Sequence, residues 1–210
     1  MLDNLKIFVR ESWLLVTAAL LCGLLLAATN AALGPRIQMN KTLKLTNLAA
    51  GLLPEAKNFV PLPEPIEVKG LDGKPEPAVV FKAVVKDKVV GWAFKAVGSG
   101  FADKIDLVVG VDASFNKLTG YDVVASSETP GFGDQIKDAY YRGQFAGAPA
   151  ERFNLVGFGA ANAADIDSTI VAISGATISS TAVVQAMNHY LPQLKEQLQQ
   201  KGLIPNDNNP

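Results

Sequence analysis

The chain has one cysteine, Cys22, and one histidine, His189, in 210 residues. An internal disulfide is therefore impossible, and neither a four-cysteine iron–sulfur cluster nor a Cys/His structural zinc site can be assembled from it. Any redox chemistry must rest on an organic cofactor. A basic excess is missing too: 19 Lys and Arg against 20 Asp and Glu leave a formal charge of −1. With a sequence pI of about 5.9, the electrostatic footprint of a nucleic-acid binder is absent.

Charge is missing altogether from Ser12 to Pro35, between Glu11 and Arg36. About 20 helical residues cross a hydrocarbon core of roughly 30 Å, so this run predicts a transmembrane helix over 12–35. Trp13 stands where an interfacial aromatic belongs. Ala27-Ala28 and Ala31-Ala32 resemble signal-cleavage sites, but the run exceeds the roughly 7–15 apolar residues of a signal peptide, which favours a retained anchor. Lys6 and Arg10 on one side face Arg36, Lys41 and Lys44 on the other, so the positive-inside rule leaves the orientation open. Within the span, Cys22 reads as an inert apolar residue, and Asn30 as a contact to another helix or to the interface.

The expected organisation is a short segment 1–11, the transmembrane helix, a helix and Pro-rich connector over 36–77, a domain over 78–201 and a polar tail over 202–210. Apolar residues at 43, 45, 48, 49, 52 and 53 predict a short helix over 41–53. Six prolines between 54 and 77 predict an extended connector with one short strand. Ala78–Val85 and Val89–Ala96 around Lys86-Asp87-Lys88 predict a hairpin. Strands are expected over 105–112, 118–126 and 166–173, and a helix over 135–145; 153–158 is ambiguous. A closing helix from Ser179 carries one apolar face (Val183, Val184, Met187, Tyr190, Leu191, Leu194, Leu198), with Pro192 bending or restarting it. Strands first and a helix last predict an α+β fold, a single domain with a mainly antiparallel twisted sheet and packing helices.

Two loops carry the chemistry. Ser174-Gly175-Ala176-Thr177-Ile178-Ser179-Ser180 sets small residues and hydroxyls at a helix start. There, unpaired N–H groups and the helix dipole receive a phosphate, while Gly175 and Ala176 let the backbone approach it. Thr177 offers a hydroxyl that either hydrogen-bonds to that phosphate or is esterified by it; taken alone, the motif also reads as a plain N-cap. The second loop, Ser127-Glu128-Thr129-Pro130-Gly131-Phe132-Gly133-Asp134, is a turn whose two glycines flank an aromatic, a shape that wraps a flat ring. Glu128 reads equally as a ligand contact or a turn-satisfying group. Lys137, Arg142 and His189 read as surface or packing residues.

At these two loops the sequence resembles the FMN-binding domain of RnfG, a component of the Rnf electron transport complex. The same domain is shared with NqrC, a component of the sodium-pumping NADH:quinone oxidoreductase. Glu128-Thr129-Pro130-Gly131-Phe132-Gly133 is similar to that family's ETPGLG loop. SGATISSTAVVQAMN is similar to its flavin-attachment segment. The strand Val90–Phe94, the pair Gly120-Tyr121 and the single anchor ending in Gly-Pro-Arg-Ile complete the likeness, over about residues 10–190. One position departs: where the family carries an acidic residue six places before the threonine, this chain has Val171.

The resemblance implies an FMN joined through its phosphate to Thr177 by a separate flavin transferase, with the 128–133 loop near the isoalloxazine. It further implies an inner-membrane, single-pass protein with an extracytoplasmic soluble domain. Its partners would be polytopic and iron–sulfur or flavin subunits of an ion-translocating ferredoxin:NAD oxidoreductase. A tethered binding module without redox role and a stand-alone flavin carrier are the alternatives.

Overall fold

A computed structural model describes residues 2–205. The chain forms two compact units, residues 1–43 and 44–210. The first consists of helix α1, Leu2–Leu52, whose last turns belong to the second unit. Between Ser12 and Leu33 its leucines and alanines are exposed all round, with no polar face of the kind a surface helix of a globular protein shows. It is the one described helix long and apolar enough to cross a membrane. Where the sequence predicts separate helices over 12–35 and 41–53, one continuous helix runs through Pro35. A single proline removes only the bond to the carbonyl four residues back, Ala31, and the flanking turns keep theirs. Of the 1–11 segment, Met1 lies outside the described residues and only the helical backbone of 2–11 is described.

The second unit is built on a five-stranded antiparallel sheet in the order β1-β4-β5-β6-β7. Its strands are β1 (Asn58–Pro61), β4 (Val80–Val85), β5 (Lys88–Ser99), β6 (Lys104–Asp112) and β7 (Leu118–Ala125). The expected hairpin is β4–β5, turning through Lys86 and Asp87 at φ 46° and 63°, the left-handed pair that suits strand twist. Period-two alternation sorts the side chains. Trp92, Phe94 and Ala96 with Ile105, Leu107 and Val109 face the main core, while Ala93 and Val108 face the last turns of α1. Leu45, Ala49 and Leu53 cover that second face together with Leu48 and Leu52. Bare backbone at Gly91 and Gly110 admits them, since a Cβ there would press on Leu53 and on Leu52.

The main core lies under helix α3 (Thr177–Gln200), which buries Val183, Met187, Leu191 and Leu194. This helix starts two residues before Ser179 and passes through Pro192 without restarting, because a long buried face outweighs one lost backbone bond. The Pro-rich connector holds more strand than expected: besides β1, β2 (Ile66–Lys69) pairs antiparallel with β3 (Pro75–Ala78). Pro75 and Pro77 alternate along β3, so both missing N–H groups fall on its outer edge. The helix expected over 135–145 is instead a 3-10 turn (Gly133–Lys137), one turn of helix α2 (Ala139–Arg142) and a second 3-10 turn (Gly143–Phe145). Asp138, at ψ 145°, is extended and interrupts it.

The ambiguous stretch 153–158 contains β8 (Asn154–Val156). It pairs parallel with β9 (Thr169–Val171), all that forms of the expected 166–173 strand. Ile204 is buried and Leu203 packs on the core, so the tail begins as a packed segment; residues 206–210 of it lie outside the described residues. The α+β class and the mainly antiparallel sheet hold.

Candidate functional site

β7 and β9 each end in a loop, and the two loops meet. After β7, the Thr129 carbonyl accepts the N–H of Phe132 at 3.2 Å, with Gly131 at φ 77° closing the turn. After β9, the Ile173 carbonyl accepts the Ala176 N–H at 3.1 Å, with Gly175 at φ 76°. The Ser180 hydroxyl, fully buried, locks this second turn by accepting the Ile173 N–H at 3.0 Å and donating to the Ala176 carbonyl at 2.9 Å. Tyr141 donates to the Ser180 carbonyl from below at 3.2 Å. Burial raises the Tyr141 phenol well above its usual value, which keeps it a neutral donor.

Helix α3 then begins at Thr177 with Ala176 as its cap residue and no side-chain cap. Its first N–H groups have no carbonyl one turn back to receive them, so they point outward with the positive end of the dipole. The bland reading of the hydroxyl cluster as an N-cap therefore fails: neither Ser174 nor Thr177 caps the helix. Thr177 is exposed, and its hydroxyl stands on the first residue of the helix.

Glu128 ties the loops together. It is buried, and one carboxylate oxygen accepts the Ala102 N–H at 3.0 Å while the other accepts the Ser179 hydroxyl at 2.5 Å. Gly100 and Gly133 make the space, since a Cβ on either would collide with this carboxylate. A carboxylate at the third residue of a helix also suits the dipole. Glu128 therefore bonds to groups outside its own turn, and it also lines the cleft between the loops.

Between the loops lies a cleft of about 430 Å³, within the roughly 300–1,000 Å³ of small-ligand sites. Glu128, Thr129, Phe132 and Gly133 line it from one loop, and Gly175, Ala176, Thr177, Ile178 and Ser179 from the other. Pro130, Gly131 and Ser174 are exposed in the same turns without lining it. Phe101 completes the wall; the sequence shows it only as part of a flexible loop, although a large apolar residue beside glycines is a signal. Phe101, Phe132 and Ile178 are 70%, 58% and 52% exposed, an apolar surface left open to receive a flat apolar group.

Val171 ends β9 and is buried; its N–H and carbonyl are both held by the Gln144 amide, at 2.8 and 3.2 Å. Arg142 is committed to Asp122 at 3.0 Å and to the Tyr121 carbonyl at 3.0 Å, Lys137 is exposed, and His189 contacts the Lys69 carbonyl. None of the three lines the cleft. Among the described residues no group of His, Cys, Asp or Glu is placed to hold a metal ion. The chemistry of the donor set is that of a phosphate seat beside an apolar slot, which fits a flavin mononucleotide.

Residues 100–192 match the FMN-binding domain family. The G component of the ion-translocating oxidoreductase complex of Methanosarcina acetivorans is 34% identical over 139 residues, covering 65% of this chain and 68% of that protein. The G component of the Na(+)-translocating ferredoxin:NAD(+) oxidoreductase complex of Acetobacterium woodii is 26% identical over 189 residues, 87% of this chain and 89% of that one. Among solved structures, Shewanella oneidensis NqrC superposes with a TM-score of 0.55 at 25% identity, over 69% of this chain and 72% of that one. The chain belongs to the RnfG family, the FMN-binding G components of ion-translocating oxidoreductase complexes, and FMN is its cofactor.

Proposed function

We propose that this protein relays electrons within a membrane-bound, Rnf-type ferredoxin:NAD oxidoreductase through an FMN esterified to Thr177. The observation that carries this reading is Thr177 itself: an exposed hydroxyl on the first residue of an uncapped helix, opening into a cleft walled by Phe101 and Phe132. An ester there would link the Thr177 oxygen to the FMN phosphorus, and the chain would be heavier by the mass of FMN less water. A flavin transferase would place it.

The bound group supplies electron transfer at its ring. The chain does the rest. The N–H groups of α3 offset the charge left on the phosphate. Phe101, Phe132 and Ile178 would lie against the bound ring and shield it from water. Glu128, with both oxygens engaged, holds the walls at a fixed separation. A covalent link keeps the carrier loaded on the extracytoplasmic side of the cytoplasmic membrane, the side we infer for the soluble unit. The partners are the polytopic and iron–sulfur or flavin subunits of the same complex.

The test is the intact mass of protein produced with its flavin transferase and then denatured. A gain of FMN less water that is lost in Thr177→Ala supports the ester. Val171 favours the second reading, FMN held without a bond; release of all flavin on denaturation would establish it and overturn the ester.

A further inference from the structure

On the far stretch of α3, about 18 Å along the helix from Thr177 at 1.5 Å per residue, lies a second and larger cleft, of about 680 Å³. Its floor is the helix, at Gln185, Asn188 and His189. Both walls are fastened to that floor by hydrogen bonds. On one side the Asn188 amide accepts the Phe153 N–H at 2.7 Å and donates to the Phe153 carbonyl at 2.8 Å, which holds the segment bearing Arg152. On the other side Gln193 accepts the Lys69 N–H at 2.8 Å, and His189 Nε2 meets the Lys69 carbonyl at 2.5 Å, which holds the β2–β3 hairpin bearing Leu71. The cleft is thus a surface groove whose two walls are tied to its floor.

Its lining divides by chemistry. Ala150, Pro192 and Leu71 are apolar, and Leu71 is left exposed. Arg152 and Lys195 are the basic residues of the lining and Glu151 is the acidic one. The Arg152 guanidinium is exposed and makes no hydrogen bond or ion pair among the described residues, while Lys195 reaches Asn116 at 3.3 Å. A planar guanidinium at the rim of an apolar slot recognises a carboxylate through two parallel bonds. A preformed cleft avoids the cost of ordering its walls on binding.

We propose that this cleft is a ligand site separate from the flavin cleft, for an organic acid of small-molecule size with an apolar body and one carboxylate head. Arg152 pairs with the carboxylate, and Pro192, Ala150 and Leu71 cover the body. The site does not depend on how FMN is attached at Thr177.

Because His189 is the one histidine in the chain, isotope-labelled histidine gives a single imidazole signal from the cleft floor. The full-length protein in lipid nanodiscs is titrated at constant ionic strength with benzoate, and in parallel with neutral benzyl alcohol. The expected result is a saturable shift with benzoate and none with the alcohol, with affinity at least tenfold weaker in Arg152→Ala and weakened in Lys195→Ala. Both residues are off the core, and an unchanged circular dichroism spectrum confirms the fold. A shift that fails to saturate, that the alcohol reproduces, or that survives Arg152→Ala overturns the proposal.

Discussion

Glu128 is a buried carboxylate with two donors, and its removal therefore separates charge from shape. In Glu128→Gln the amide keeps one acceptor for the Ala102 N–H, but the Ser179 hydroxyl then faces an NH2 group and must turn to accept. Hydrogen bonds to a charged group contribute about 1.5–3 kcal/mol each, so the variant should lose about 1–3 kcal/mol, read as a lower urea midpoint at unchanged slope. Gly133→Ala tests the same latch from outside: its new methyl would strike the Glu128 carboxylate and the Ser179 hydroxyl. Overpacking of that kind costs about 1–3 kcal/mol, and flavin loading should fall with it. A Gly133→Ala protein of wild-type stability and full loading would show that the latch is not needed. No local pattern in the sequence exposes this arrangement. Glu128 lies 26 residues from Ala102 and 51 from Ser179, and only the sheet brings them together. The glycines and the helix start are readable because they answer to local backbone geometry; Phe101 is flagged only by the glycine before it, because its role depends on which loop it faces.

Elements are readable in proportion to how far their side chains settle them. The β4–β5 hairpin and the apolar face of α3 follow from periodicity, and both form where expected. β8 and β9, three residues each, have too few positions to show a period; they pair in parallel, the 157–168 connection carrying the chain back to the start of β9. Their outer edge is completed by a side chain, since Gln144 bonds both backbone groups of Val171. Gln144→Ala strands a buried N–H and a buried carbonyl, each worth about 1–3 kcal/mol if left unpaired. It should speed hydrogen exchange at Val171 and loosen the Ile173–Ala176 turn that delivers Thr177. Wild-type exchange in that variant would mean that β9 is held by β8 alone. Pro192 makes the opposite prediction. An interior proline costs up to about 3 kcal/mol against alanine, and Pro192→Ala restores an N–H to the carbonyl of Asn188 inside a helix that is already continuous. The variant should be more stable by about 1–3 kcal/mol in thermal or urea unfolding, and a loss of stability would mean that the proline ring packs more than the backbone bond returns.

For the whole chain, the governing fact is an apolar helix of exposed leucines continuous with a domain that carries a redox cofactor. Two basic residues before the apolar span and three after it are too even a count to fix which side of the membrane receives the domain; the inference that it lies outside rests on the family likeness. The single cysteine makes this directly measurable. Cys22 lies within the apolar span, so Cys22→Ser gives a cysteine-free chain. Ala161→Cys then puts one thiol on an exposed loop of the second unit, away from both clefts. Spheroplasts of a host carrying this variant are treated with a membrane-impermeant maleimide before and after permeabilisation. An extracytoplasmic domain reacts fully before permeabilisation and gains nothing after it. Labelling confined to permeabilised cells would place the domain in the cytoplasm. Free FMN is plentiful there, and the argument that an ester at Thr177 serves to retain the cofactor would lose its physical basis even if the ester itself were found.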